Sequence, residues 1–305
     1  MNRTLTILSC LLIFASTTAQ QAPDTLFAAK LKLNKTQYDP GKGPVVLIDG
    51  AHNNFHRSNG NFAPLKILLE KDGYDIKSLD SSSTKENLSH CHILVISNAL
   101  AANNVDRWYL PVYSAFTETE VKTIKNWVDK GGRLLFIADH MPFAGAADVL
   151  AKAFGFNFIN GFADNNMNGW PPSVFRVKDK TMTSSIAEGR NSREKVDSVA
   201  AFTGSAFSYP SAAQPVLLFT AKDTVIITDT AWRINDKTIR QSLASKAMGA
   251  IMKSGKGRIA VFGEAAMFTA QLRRDDAVGF NAPEAPQNIQ FILNLFHWLD
   301  TNAEH

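Results

Sequence analysis

Apolar residues cluster in short unbroken runs along this chain. The clearest are residues 45–48 (VVLI), 93–96 (ILVI) and 134–137 (LLFI), with a fourth at 258–262 behind its leading Arg258. Runs of this length without alternation suit strands covered on both faces, as in a parallel sheet. Residues 74–79 alternate instead and read as a further strand. Helical spacing fills the gaps between these runs. Leu65, Leu68 and Leu69 form a stripe that begins near Pro64 and stops at Gly73. Thr117 and Glu120 have the spacing of a capping box, with Val121, Ile124 and Val128 next on one face and a stop at Gly131-Gly132. Residues 146–154 read as another helix, closed by Gly155. Strands alternating with helices over short connections predict an α/β fold: a doubly wound, mostly parallel sheet with helices on both faces.

The pattern loosens after residue 155. Residues 156–215 are rich in Gly, Pro, Asn and Ser and predict loops and short strands, an irregular β-containing insertion rather than a second domain. Residues 216–219 and 225–228 read as a strand pair, and residues 241–253 as a helix. Ile289, Ile292, Leu295, Phe296 and Leu299 mark a closing C-terminal helix. At the other end, residues 20–44 are polar and carry Pro23, Pro40, Gly41, Gly43 and Pro44. They read as a linker, which places the domain at residues 45–305.

Residues 1–19 change the picture of where the protein works. Arg3 precedes a mostly apolar stretch at 5–14, and Thr17-Thr18-Ala19 supplies small residues for cleavage, the pattern of a signal peptide. The apolar stretch is too short to span a bilayer. The expected location is therefore secreted or periplasmic. Cys10 lies inside the apolar stretch, so a lipoprotein ranks second. Without that segment Cys91 is the only cysteine, and no internal disulfide can form. A chain of 305 residues, 45% of them hydrophobic, is long enough to rely on its core instead. No later stretch is long and apolar enough to cross a membrane. The formal charge of +4 loses one unit with Arg3, and the remainder is dispersed, which argues against a nucleic-acid partner.

In open α/β sheets, ligands bind beyond the carboxyl ends of the strands. The residues just past each apolar run are therefore the place to look for chemistry. After the first run come Asp49-Gly50-Ala51-His52-Asn53-Asn54-Phe55-His56. After the second come Ser97-Asn98, after the third Asp139-His140-Met141-Pro142, and after the late strand Gly263-Glu264. Acids, amides and imidazoles thus gather where hydrocarbon ends, and the topology would bring them to one rim. His140 is the expected acid/base, since imidazole moves protons near neutral pH. Asp139 stands beside it, and Asp49 or Glu264 is its expected orienter. His52, Asn53, Asn54, His56 and Asn98 are candidate substrate holders, and Trp108, Phe143 or Trp170 can stack on a sugar face. His52 and His56 are four apart but sit in a loop, so the spacing does not make a helical metal pair. No metal is assigned and no cofactor is identified. A phosphate-binding P-loop, a dinucleotide fingerprint after the first strand and a GxSxG elbow are all absent.

The stretches 45–56, 116–132, 133–145 and 257–268, above all GGRLLFIADHMPFAGAA and GKGRIAVFGEAAMFTAQ, resemble the glutamine amidotransferase-like domains of the DUF4350 group. The resemblance covers nearly all of residues 45–300. It is also similar to a domain of some intraflagellar-transport proteins that serves as a binding module. It implies a flavodoxin-like, class I amidotransferase-like sandwich. It does not imply amidotransferase activity. The turn that holds the catalytic cysteine in true members here holds Asp139-His140-Met141-Pro142, Cys91 falls before a strand, and the late His-x-Glu pair is missing. Two readings of function stay open. One is a hydrolase-like, ligand-processing protein acting on a small polar molecule at the rim. The other is a catalytically silent module for a glycan or a protein partner.

Overall fold

The computed structural model describes residues 21–163 and 171–301. The expected signal peptide and Trp170 lie outside them. Nine strands form the main sheet: β1 (Val45–Asp49), β2 (Asp75–Leu79), β3 (Ile93–Ser97), β4 (Arg133–Ile137), β5 (Asn157–Ile159), β6 (Ala206–Ser208), β7 (Gln214–Leu218), β8 (Ala247–Ser254) and β9 (Gly257–Phe262). Their order is β2-β1-β3-β4-β9-β8-β6-β5, with β7 also paired to β8. The ladders β2/β1, β1/β3, β3/β4 and β4/β9 are parallel. Those joining β9/β8, β8/β7, β8/β6 and β6/β5 are antiparallel. The apolar runs predicted a mostly parallel sheet, and parallel pairing fills only this half of a mixed one.

Successive residues of the parallel strands feed opposite cores, because side chains alternate across a sheet. Val46, Ile48, Val95, Leu135 and Phe262 join one apolar cluster, while Leu47, Leu94, Ile96, Phe136 and Val261 join the other. Helices cover both. Helix α1 (Ala63–Lys71) and helix α4 (Asn288–Asp300) pack on the first face. Helix α2 (Glu118–Asp129) and helix α3 (Phe143–Ala153) pack on the second. The capping box of α2 forms as its spacing predicts: Glu120 N–H donates to Thr117 Oγ1 at 3.2 Å, and Thr117 N–H donates to Glu120 Oε2 at 3.0 Å. Val121, Ile124 and Val128 form its buried stripe.

Three expectations are corrected. Residues 241–253 are not a helix; most of them belong to strands Ile239–Ser242 and β8. Their Ala, Ser, Lys and Met content favours helix, but a tight turn at Gly255 (φ 56°) folds β8 straight back onto β9. So short a connection can join only antiparallel neighbours. The predicted pair at 216–219 and 225–228 does form strands, but not with each other. β7 pairs with β8, and Thr224–Ile227 pairs with Ile239–Ser242. Residues 21–44 are more than a linker. Gln21–Pro23 adds an edge strand to the hairpin Ala270–Arg273/Asp276–Gly279. Asp24 then caps the short helix Thr25–Lys30, and Phe27, Leu31, Leu33 and Tyr38 pack on the core. No helix among the described residues is long and apolar enough to cross a membrane.

Candidate functional site

β1, β3, β4 and β9 are neighbours and point the same way, so their carboxyl ends open on one side. There lies a cavity of about 750 Å³. Its floor is polar: His56, Asn98, Asp139, His140 and Glu264, each buried to at least nine-tenths. Phe55, Trp108, Phe143, Phe202 and Trp232 form aromatic walls, and Gln21, Arg273, Arg274 and Asp276 stand along one side.

Asn98, at the tip of β3, organises the floor. It adopts φ 49°, a left-handed conformation that Asn tolerates better than most residues. Its Oδ1 accepts the Asp139 N–H at 2.9 Å. That contact turns Nδ2 toward His56 Nδ1, to which it donates at 3.2 Å. On the other side of the ring, Gln271 Nε2, also an amide donor, lies 3.4 Å from His56 Nε2, so the two amides face the single lone pair of a neutral ring. Burial, assisted by nearby His140, pushes the His56 pKa down to about 3. His56 is thus a neutral ring.

His140 is held differently. Its N–H donates to Asp139 Oδ1 at 2.8 Å, and its Nδ1 lies 2.6 Å from the Met141 carbonyl. A carbonyl only accepts, so Nδ1 carries a proton, and a neutral ring held this way presents its lone pair at Nε2. Nε2 has no hydrogen-bond partner among the described residues. The ring stacks on Phe162 at 4.6 Å and meets the edge of Trp232 at 4.8 Å. The orienter of His140 is the Met141 carbonyl, not Asp49 or Glu264 as expected.

Glu264 is fully buried beneath the cavity, with its carboxyl receiving the N–H groups of Ala266 at 2.9 Å and Met267 at 2.7 Å. Burial raises its pKa well above the usual carboxylate range, and the charge of Asp139 adds to the rise. One tip thus carries an imidazole and its neighbour a carboxyl whose pKa is raised.

The remaining predicted residues stand apart from the cavity. Asp49, His52 and Asn54 are buried in a network of their own with Glu120. Asn53 is exposed and donates to the Leu100 carbonyl at 3.1 Å. Of residues 49–56, only Phe55 and His56 reach the cavity. Sequence reasoning missed Phe202 and Thr203, which come from the irregular segment, Trp232, which lies between strands Thr224–Ile227 and Ile239–Ser242, and the hairpin residues Arg273 and Arg274. No group of three or more His, Cys, Asp or Glu side chains suited to hold a metal occurs among the described residues. Cys91 is buried at the opposite end of β3, and burial pushes its thiol up to about 12.

No protein-family model matches the chain, and no curated protein does. Solved structures do. The mmIFT52 N-terminal domain superposes with a TM-score of 0.59 at 17% identity, over 85% of this chain and 99% of that one. The two chains share a fold. At that identity the likeness is one of architecture alone. Looser likenesses are a putative ThuA-like protein from Bacteroides uniformis (TM-score 0.46, 12% identity, 86% of this chain and 94% of that one) and a cytoplasmic protein from Salmonella typhimurium (TM-score 0.48, 13% identity, 84% and 98%).

Proposed function

We propose that the chain is an exported amidotransferase-like domain of the DUF4350 type that processes a small polar ligand by acid–base chemistry in the strand-tip cavity. The observation that carries this reading is His140, whose Nδ1 is committed to the Met141 carbonyl while Nε2 is left without a protein partner on the cavity floor. A ligand hydroxyl or a water placed there gives its proton to Nε2. The imidazolium so formed keeps its Nδ1–H bond to Met141, and the nearby Asp139 carboxylate favours the charge. Glu264, whose pKa burial raises, is the candidate proton donor. The walls formed by Trp108, Phe143 and Trp232 suit the apolar face of a sugar ring, which makes polyhydroxylated compounds the first class to try. Export rests on the signal-like residues 1–19, and the flavodoxin-like, doubly wound assignment on the parallel half of the sheet.

The test is turnover of a panel of sugars, amides and esters by wild type and His140→Ala. Loss of a general base should lower the rate by about 10²–10⁴-fold while the melting point stays near that of wild type. Equal turnover by both proteins would refute the role of His140. A ligand that raises the melting point of wild type and is never turned over would favour the binding module instead.

A further inference from the structure

Outside the cavity, one buried group of ionisable side chains is built too completely to be incidental. His52 Nδ1 lies 2.8 and 3.0 Å from the two Asp49 carboxyl oxygens, and His52 Nε2 lies 3.0 Å from Glu120 Oε1. We propose that His52 is a positioning residue for the strand-tip site, held as an imidazolium that ties the start of α2 to the loop presenting Phe55 and His56. This rests on the cavity being the functional site.

The protonation state follows from counting donors. Glu120 Oε2 already accepts the N–H of Thr117 at 3.0 Å and its hydroxyl at 2.8 Å. Asp49 Oδ1 accepts the Ala51 N–H at 3.2 Å, and Asp49 Oδ2 accepts Asn54 Nδ2 at 2.9 Å. With donors at these oxygens, both acids are satisfied as carboxylates, and a carboxylate only accepts. Both ring nitrogens must then donate, which requires the charged ring. Burial opposes the charge on His52, but Asp49 first and Glu120 second outweigh it and hold its pKa above 6.5. Burial likewise opposes the charge on Glu120, and bonds from Thr117 and His52 outweigh it. His52 and Glu120 shift in the directions that favour an ionised pair. The titratable groups facing His52 are Asp49 from β1 and Glu120 from α2; the Phe116 ring packs on it at 4.7 Å and carries no charge.

The link to the site runs through the backbone. The His52 carbonyl accepts the Leu100 N–H at 2.8 Å, and Asn54 Nδ2 donates to the Ser97 carbonyl at 3.1 Å. The next residue, Phe55, donates its N–H to the Asn98 carbonyl at 3.0 Å, and His56 receives the Asn98 amide. The folded pKa of His52 is raised, so the tie is complete below the unfolded pKa near 6.5 and is lost as pH rises through the folded value.

The experiment is a pH titration by nitrogen NMR of the histidine rings, with amide exchange protection factors for Phe55 and Leu100, on wild type and Glu120→Gln. Gln keeps the capping box, so the variant should fold. Wild type is expected to show both His52 ring nitrogens protonated at pH 7. Glu120→Gln is expected to lower the His52 midpoint by about one pH unit, a tenfold change in the equilibrium. Above the midpoint the protection of Phe55 and Leu100 should fall and the His56 ring signals should move. A neutral His52 at pH 7 would overturn the proposal, as would a titration that leaves Phe55, Leu100 and His56 unmoved. If the variant does not fold, the wild-type titration decides alone. None of these readouts needs a ligand, so failure of the tie and failure of the His140 chemistry are separate results.

Discussion

Replacing Asn98 with alanine should be among the most costly single changes at the strand tips. The residue is 1% exposed, and its side chain serves two buried groups: Oδ1 takes the Asp139 N–H at 2.9 Å, and Nδ2 supplies His56 Nδ1 at 3.2 Å. Alanine leaves both without a partner, at about 1–3 kcal/mol each. It must also hold φ 49°, where an ordinary L-residue loses a further ~1–2 kcal/mol. The sum is about 3–8 kcal/mol, a large part of the 5–15 kcal/mol that typically holds a domain together. Asn98→Asp separates the contributions. It tolerates the same backbone and keeps the acceptor for Asp139, but it turns an acceptor toward the acceptor nitrogen of His56. That variant should lose about 1–3 kcal/mol, less than the alanine variant. Urea unfolding at pH 7.5, with midpoints compared at constant slope, measures both. Asn98→Ala within about 1 kcal/mol of wild type would refute the reasoning, since unpaired buried groups cannot be that cheap. So would an Asp variant that loses more than the alanine variant.

Three further outcomes are expected. Glu264→Gln should flatten the dependence of melting temperature on pH: a carboxyl whose folded pKa is raised favours the folded state at low pH and loses that advantage as pH climbs from about 4.5 through the folded value, so wild type should gain stability on mild acidification and the variant should gain less. Gly263→Ala should destabilise by about 1–3 kcal/mol in urea unfolding, because its Cβ would lie 2.2 Å from the Ser205 carbonyl oxygen, a backbone atom fixed by the Ser205 N–H bond to Gly263. Iodoacetamide at pH 8, with peptide mapping afterwards, should leave Cys91 unmodified until the protein unfolds, since a thiol pushed up to about 12 is ionised there to only about one part in ten thousand.

The legible parts of this chain were those with a local cause. The buried parallel strands announce themselves because both faces are covered, and the capping box of α2 is written in two residues three apart. β8 was illegible because its partners decide its shape. Ala247, Met248 and Ala250 have helical leanings, yet each lies within the sheet. At the site, proximity to a strand end located the rim but not which side chains reach the cavity. His52 and His56 are both buried histidines of one loop, and only the second turns inward. The role of Glu120 was hidden behind its capping-box spacing, which accounts for one of its oxygens and not the other. Trp232 had no local signal, because a distant strand pair carries it to the mouth of the cavity.

The pairing of β4 with β9 also bears on how the protein is made. A ribosome delivers β4 well before β9, with the whole irregular segment between them. Until β9 emerges, the edge of Leu134, Leu135, Phe136 and Ile137 has one flank open, and such an edge invites pairing with other chains. Asp139 and Glu264 can meet only after β9 has emerged, so the floor of the cavity forms later than the parallel strands before it. A nascent chain stalled before residue 257 is therefore not a smaller version of this protein. It is two sticky half-sheets without the strand that joins them, and it depends on a chaperone or on speed.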